Sequence, residues 1–223
     1  MKNYALIVAG GSGQRMAHTV PKQFLLLHNK PILLYTVEKF YKTNLFDKII
    51  LVLPRSYKAH WEQIVKDYSC NFNSTLVDGG ISRYESVKNG LKEVDNDGYV
   101  AIHDGVRPLV SELLISKCMN ALLQNTSAVP AIPLIDSIRK VNNSVNETAD
   151  RNHFRIIQTP QCFHSGLLKK AYEQIEDNEL TDDASVFEKF GEKIHLLEGE
   201  AMNIKITVAT DLLIAEAMIN LQK

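Results

Sequence analysis

Gly10-Gly11-Ser12-Gly13-Gln14-Arg15-Met16 leads on directly from the apolar run Ala5-Leu6-Ile7-Val8-Ala9 and is followed by Pro21-Lys22-Gln23, a combination of residue types suited to phosphate chemistry. Glycines turn the chain sharply and remove side chains where backbone must come close to a ligand, so successive amides can point at an anion; taken alone they also suit a plain packing turn between strand and helix, and the cations that follow sharpen the reading. Arg15 adds a planar guanidinium and Lys22 a compact ammonium, with Pro21 fixing the backbone just before the lysine. Cations and aimed amides together suit a triphosphate whose charge is being redistributed. Two familiar phosphate loops do not fit. Walker A needs Gly-Lys-Ser/Thr, whereas Gly13 is followed by Gln14 and Arg15; the dinucleotide fingerprint needs a third glycine where Met16 stands and an acid after the second strand, where the chain reads Leu53-Pro54-Arg55.

Three further clusters carry polar groups that could act on the same ligand. Asp78-Gly79-Gly80-Ile81-Ser82-Arg83-Tyr84-Glu85-Ser86-Val87 offers a second glycine turn opening a helix, with Arg83 and Ser86 one turn apart. They suit an anion or a base edge, and equally a plain helix cap beside a solvated arginine. Asp104 ends the run Tyr99-Val100-Ala101-Ile102-His103 and precedes Gly105-Val106-Arg107-Pro108; it is either a turn acid or a ligand for Mg²⁺, direct or through water. His103 is expected to be structural, with no proton to move. Thr181-Asp182-Asp183-Ala184 offers adjacent acids, but neighbouring helix residues point apart and first-turn carboxylates suit the helix dipole, so capping by Thr181 is favoured over a metal.

These groups need a scaffold, and the apolar periodicity supplies one. Ala5 to Ala9, Lys48 to Leu53, Ser74 to Val77 and Tyr99 to His103 are predicted strands; Pro31 to Phe40, Tyr57 to Tyr68, Tyr84 to Val94 and Glu112 to Gln124 are predicted helices between and after them. Alternation of this kind implies a Rossmann-like α/β fold, a mostly parallel twisted sheet flanked by helices, with ligands beyond the carboxyl ends of the strands. Trp61 is a packing residue. Ala128 to Pro133, with two prolines, is expected near a sheet edge. Ser165 to Glu176 and Leu212 to Leu221 are helices and Lys193 to Glu198 a strand, with Asp211 a helix-start acid. The polar stretch from Ser137 through Asn142-Asn143-Ser144 to Arg151 reads as a hairpin arm with little apolar surface of its own, and such a hairpin is marginal in water unless docked.

At 223 residues and 45% hydrophobic content the chain suits a single domain, residues 1–223, with an arm at about 136–157. Its 25 basic against 26 acidic residues argue against nucleic acid as a partner. Cys70, Cys118 and Cys162 are too few and too scattered for a disulfide framework or zinc site and suit a reducing compartment. The first apolar run is too short for a signal peptide or membrane span, so a cytoplasmic protein without membrane association is expected.

Gly-Gly-x-Gly-x-Arg-Met with Pro-Lys-Gln resembles the opening of the sugar-phosphate nucleotidyltransferases, and most closely the cytidylyltransferases of isoprenoid precursor synthesis. Gly-Gly-x-x-Arg-x-x-Ser-Val, His-Asp-x-x-Arg-Pro, Thr-Asp-Asp-Ala and Asn-Ile-Lys-x-Thr follow in family order. The resemblance implies CTP as donor, a polyol phosphate as acceptor and Mg²⁺ as cofactor. It places the nucleotide on Ala9, Gly10, Gly11, Ser12, Gly13, Gly79, Gly80, Arg83, Ser86, Asp104 and Gly105. It makes Arg15 and Lys22 transition-state stabilisers, and puts the acceptor on Asp104, Arg107, Ser137, Arg151, Thr181 and Lys205, with Arg151 and Lys205 positioning its phosphate. Ser137 stands where the family has threonine, keeping the hydroxyl. The arm is implied to embrace a second subunit in a homodimer, so that Arg151 acts in trans. The methylerythritol phosphate acceptor is favoured by Asp150-Arg151-Asn152; ribitol 5-phosphate is the nearest alternative, and a non-catalytic nucleotide sensor another.

Overall fold

The computed structural model describes residues 1–10, 20–142, 145–177 and 179–221. In chain order the elements are β1 (Lys2–Val8), β2 (Leu26–Leu27), β3 (Lys30–Pro31), α1 (Ile32–Lys42), β4 (Lys48–Leu53), α2 (Lys58–Asp67), β5 (Ser74–Asp78), α3 (Arg83–Leu91), β6 (Gly98–Asp104) and α4 (Glu112–Ala121). The second half contributes β7 (Ser127–Pro133), β8 (Ile138–Asn142), β9 (Val145–Ala149), β10 (Arg155–Ile157), β11 (Gln161–His164), α5 (Ser165–Gln174), α6 (Asp183–Lys189), β12 (Leu196–Glu198) and α7 (Ala209–Asn220).

An eight-stranded sheet forms the centre, in the order β10-β7-β11-β6-β1-β4-β5 with β12 pairing β7. It is mostly parallel, β10 and β11 being the strands that pair antiparallel with their neighbours. From β1 the chain winds outward through β4 to β5, then returns to lay β6 on the other side of β1. The strand order therefore reverses between β1 and β6, which opens a crevice at their carboxyl ends.

Two apolar layers fix this arrangement, because side chains alternate across each strand. Ala5, Ile7, Ile49 and Leu51 point to one face and meet Leu33, Val37 and Phe40 of α1, Trp61 of α2 and Leu114 of α4. Leu6, Ile50, Val52 and Ile102 point to the other and meet Val87 of α3, Leu168 of α5 and Phe187 of α6. Trp61 is buried, in keeping with a packing role. Cys118 and Cys162 are buried in the first layer and Cys70 packs half-buried against it. A third cluster, including Leu27, Val106, Ile206 and Ala215, seats α7 beside the crevice.

Two departures from the sequence reading have local causes. β7 is not an edge strand, since β12 flanks it on one side and β10 with β11 on the other. Pro130 is tolerated there because it faces the break between β10 and β11, where Gln158 N–H donates to its carbonyl at 2.8 Å and no donor is asked of the proline. The β2–β3 hairpin was not anticipated; its two turn residues, His28 and Asn29, both take positive φ (46° and 62°), as a two-residue hairpin turn requires. The arm forms as expected, β8 and β9 pairing as their own two-stranded sheet with Val141 and Val145 each 69% exposed. Among the described residues no helix is long and apolar enough to cross a membrane.

Candidate active site

The crevice holds a cleft of about 690 Å³ lined by residues from the ends of β1 and β6, the start of α3 and the loop before α7. β1 delivers Ala9 and Gly10 to its floor. Ala9 N–H bonds the Val52 carbonyl at 2.9 Å, and its own carbonyl accepts Gln23 Nε2 at 2.7 Å. Gln23 is thereby buried in a single 3-10 turn, Lys22–Phe24, that Pro21 enters at φ −57°, and Phe24 stacks on Tyr57 at 5.3 Å. With the two following side chains anchored inward, Lys22 is presented to the cleft.

Opposite, Ser82 caps α3 by accepting from Glu85 N at 3.1 Å, while Glu85 Oε2 accepts from Ile81 N at 2.9 Å. This reciprocal cap holds the Gly79–Gly80 turn. Ser86 Oγ accepts from Gly80 N at 3.0 Å and donates to Ser82 O at 2.9 Å. A β-carbon on Gly10 would stand 2.8 Å from that same hydroxyl, so only glycine lets the two sides of the cleft approach this closely.

Asp104, the last residue of β6, is the electrostatic centre. Lys205 Nζ lies 2.8 Å from its Oδ2, Arg83 Nε 3.3 Å from its Oδ1 and Arg107 Nε 3.6 Å from its Oδ2. Burial opposes its charge, yet Arg83, Lys205 and Arg107 outweigh that and hold the carboxyl well below the usual carboxylate range. Arg83 in turn grips Asp183 with both terminal nitrogens, at 3.1 and 2.7 Å. Burial works against the Arg83 charge, but Asp183 and Asp104 keep it firmly protonated. In this cluster Arg83, Arg107 and Lys205 are set against Asp104 and Asp183, while Glu179 lines the cleft and Asp182 the cavity beside it.

His103 turns away from this chemistry. It is fully buried, its Nδ1 3.0 Å from Thr159 Oγ1 and its Nε2 3.2 Å from the Arg107 carbonyl. A carbonyl can only accept, so Nε2 carries the hydrogen and Nδ1 receives the Thr159 hydroxyl. Burial lowers its pKa to about 3, and the histidine is structural, as expected.

Of the residues singled out in the sequence, Ala9, Gly10, Lys22, Gly80, Arg83, Ser86, Asp104, Thr181 and Lys205 line the cleft together. Gly79 and Gly105 stand just behind it, their amides bonded to the Leu53 and Val8 carbonyls at 2.8 and 2.9 Å. Arg107 lines an adjoining cavity of about 400 Å³. Ser137 and Arg151 line neither; they lie at the base of the arm, where Arg151 Nη1 donates to the Ile135 carbonyl. Gly11, Ser12, Gly13 and Arg15 lie outside the described residues.

One expectation is corrected. Thr181 does not cap α6: the helix begins one residue later than the sequence suggested, and the extended Asp182 (φ −146°) accepts from Ser185 N at 3.1 Å. That releases Thr181 to face both cavities. Asp183, one residue on, points the other way into the core, where Tyr172 donates to it at 2.6 Å. Gln161 on β11, also missed, accepts from the amides of Asp183 and Ala184 at 3.0 and 2.8 Å. The signal for Asp183 was present in the 100° rotation between neighbouring helix residues, which sends two adjacent acids to different partners. For Gln161 no local pattern pointed to it.

Among the described residues no group of three or more His, Cys, Asp or Glu side chains could hold a metal ion. Comparison with known proteins agrees with the geometry. A profile of the 2-C-methyl-D-erythritol 4-phosphate cytidylyltransferase family matches residues 4–221. The enzyme of that name from Phocaeicola vulgatus is 42% identical over 219 residues, 98% of this chain and 100% of its own. Among solved structures, the 4-diphosphocytidyl-2C-methyl-D-erythritol synthase of Anaerococcus prevotii superposes with a TM-score of 0.85 at 32% identity, covering 98% of this chain and 96% of its own. The 2-C-methyl-D-erythritol 4-phosphate cytidylyltransferase of Francisella tularensis gives 0.80 at 30% identity over the whole of both chains. Fold, cleft and sequence together place the chain in the 2-C-methyl-D-erythritol 4-phosphate cytidylyltransferase family.

Proposed function

We propose that this cleft performs the family's cytidylyl transfer, in which 2-C-methyl-D-erythritol 4-phosphate attacks the α-phosphorus of CTP to give 4-diphosphocytidyl-2-C-methyl-D-erythritol and pyrophosphate. The observation that carries this reading is the convergence of Lys22, Arg83 and Lys205 on one cleft at the switch point of the sheet. The attacking phosphate is already ionised at neutral pH, so no general base is needed. The obstacle is to bring two anions together and to stabilise five-coordinate phosphorus, which cations and aimed amides do. Lys22, with Arg15 of the glycine loop, stabilises the phosphorus under attack. The Gly10 and Gly80 turns hold the nucleotide. Lys205, Arg107 and Thr181 receive the acceptor phosphate.

Asp104 fits magnesium in one way. A lone carboxylate with substrate oxygens is a usual Mg²⁺ environment, but three cations already surround this one and repel a bare divalent ion. Asp104 would therefore hold, directly or through water, an ion brought in by the triphosphate, whose charge that ion would neutralise.

The chain acts as one nucleotidyltransferase domain, residues 1–223, with the arm at about 136–157 reaching a second subunit. The exposed valines of the hairpin and the position of Ser137 and Arg151 outside both cavities support this homodimer. Pyrophosphate release, measured with CTP and each acceptor in turn, tests the reading. Release with the methylerythritol phosphate is expected. Release with ribitol 5-phosphate alone would transfer the activity to that acceptor, and CTP binding without release in either case would make the protein a sensor.

A further inference from the structure

Four residues, Arg83, Asp104, Thr181 and Lys205, line both the 690 Å³ cleft and the 400 Å³ cavity beside it, and so form the partition between them. Asp183 lines neither, yet it is the residue on which that partition is mounted. It is fully buried. Its carboxylate takes both terminal nitrogens of Arg83, at 3.1 and 2.7 Å, and the Tyr172 hydroxyl at 2.6 Å. Its amide is held by Gln161, and it follows Asp182, which lines the second cavity, and Thr181, which lines both. Tyr172 is itself locked, its ring stacked on Tyr84 at 4.8 Å and its carbonyl accepting the Tyr84 hydroxyl at 2.9 Å. One buried carboxylate thus ties α3, α5 and α6 to the end of β6.

Resting on the reading of these cavities as nucleotide and acceptor sides, we propose that Asp183 is a positioning residue that couples the two substrates. It holds the Arg83 guanidinium broadside in the partition, which leaves Nε directed at Asp104. Without the second carboxylate, all of Arg83 turns to Asp104 and competes there with Lys205 and Arg107. A shift of one partition residue then disturbs the sites on both of its faces. A bidentate, charge-assisted pair is geometrically demanding, so the neutral isostere does not substitute for it.

The test compares wild type, Asp183→Asn and Tyr172→Phe. Steady-state pyrophosphate release should show KM raised about tenfold or more for both CTP and the polyol phosphate in Asp183→Asn, with kcat reduced less than KM is raised. Calorimetry of CTP alone should show the same weakening. Tyr172→Phe, which removes one hydrogen bond and keeps the ion pair, should shift both KM values in the same direction by a smaller factor, and it supplies the answer if Asp183→Asn does not fold. A merely structural role would lower the melting temperature and the active fraction while leaving both KM values at wild type, and that result would overturn the proposal. A KM shift for one substrate only would overturn it as well. Failure of the functional reading is separate: wild-type protein would then release no pyrophosphate, while CTP calorimetry on the same three proteins would still decide whether Asp183 sets the nucleotide site.

Discussion

His103 should make this fold sensitive to mild acid, and the size of the effect follows from its surroundings. The ring is fully buried, packed 4.9 Å from Phe40, and accepts from Thr159 while donating to the Arg107 carbonyl. Thr159 Oγ1 already accepts from the Asp104 amide at 3.1 Å, so a protonated Nδ1 would aim a second donor at it and displace the hydroxyl hydrogen. Burial, the largest cause, together with the Arg107 charge, lowers the folded pKa from 6.5 to about 3 despite the opposing Asp104. The sign follows from proton counting. Below 6.5 the unfolded chain takes up a proton that the native state refuses, so this residue removes stability as pH falls through 6.5 and continues to do so down to about 3. The full effect is on the order of 5 kcal/mol, a large part of the roughly 5–15 kcal/mol that holds a typical domain together. Between pH 6.5 and about pH 5 it amounts to about 2 kcal/mol. Urea unfolding of wild type and His103→Gln at neutral pH and at about pH 5 isolates it, since the other titrating groups cancel in the difference. The variant should be less stable at neutral pH, through lost packing, and the gap should close by about 2 kcal/mol at the lower pH. A gap independent of pH would refute the buried, neutral ring and with it the geometry that links β6 to Arg107.

Three other outcomes test the site. Gly10→Ala should weaken CTP binding by about tenfold or more with a smaller change in stability, because the added carbon meets Ser86 Oγ at 2.8 Å on the cleft side; calorimetry and melting read the two effects separately. Lys22→Ala should lower kcat by about 10²-fold while the unfolding midpoint stays put, and wild-type turnover would remove Lys22 from the mechanism. Mixing that variant with Arg151→Ala should restore about a quarter of wild-type activity, since one site in each mixed dimer then holds both groups, whereas no recovery would mean that Arg151 does not act across a dimer.

The order of strands and helices was fixed by patterns a few residues long. Lys48 to Leu53 is a strand in any setting because six largely apolar residues end at Pro54, and Ile32 begins α1 because Pro31 suits a helix entry and the apolar positions recur at helical spacing. The chemical groups were legible for a related reason: Arg83 opens α3 and Asp104 ends β6, Lys22 and Lys205 stand in connecting segments, and a parallel sheet gathers its ligand-binding connections at one edge. What the chain alone could not settle was which partner each group would take. Arg83 could be a solvated cap or an anion ligand by its neighbours in sequence, and only folding places Asp183, a hundred positions away, against both of its terminal nitrogens. The interior place of β7, the insertion of β11 between β7 and β6, and the release of Thr181 from capping duty are likewise contacts between distant segments. Local periodicity records which side of an element is apolar; the charge balance around Asp104 depends on distances across the sheet, and those exist only once the chain has closed on itself.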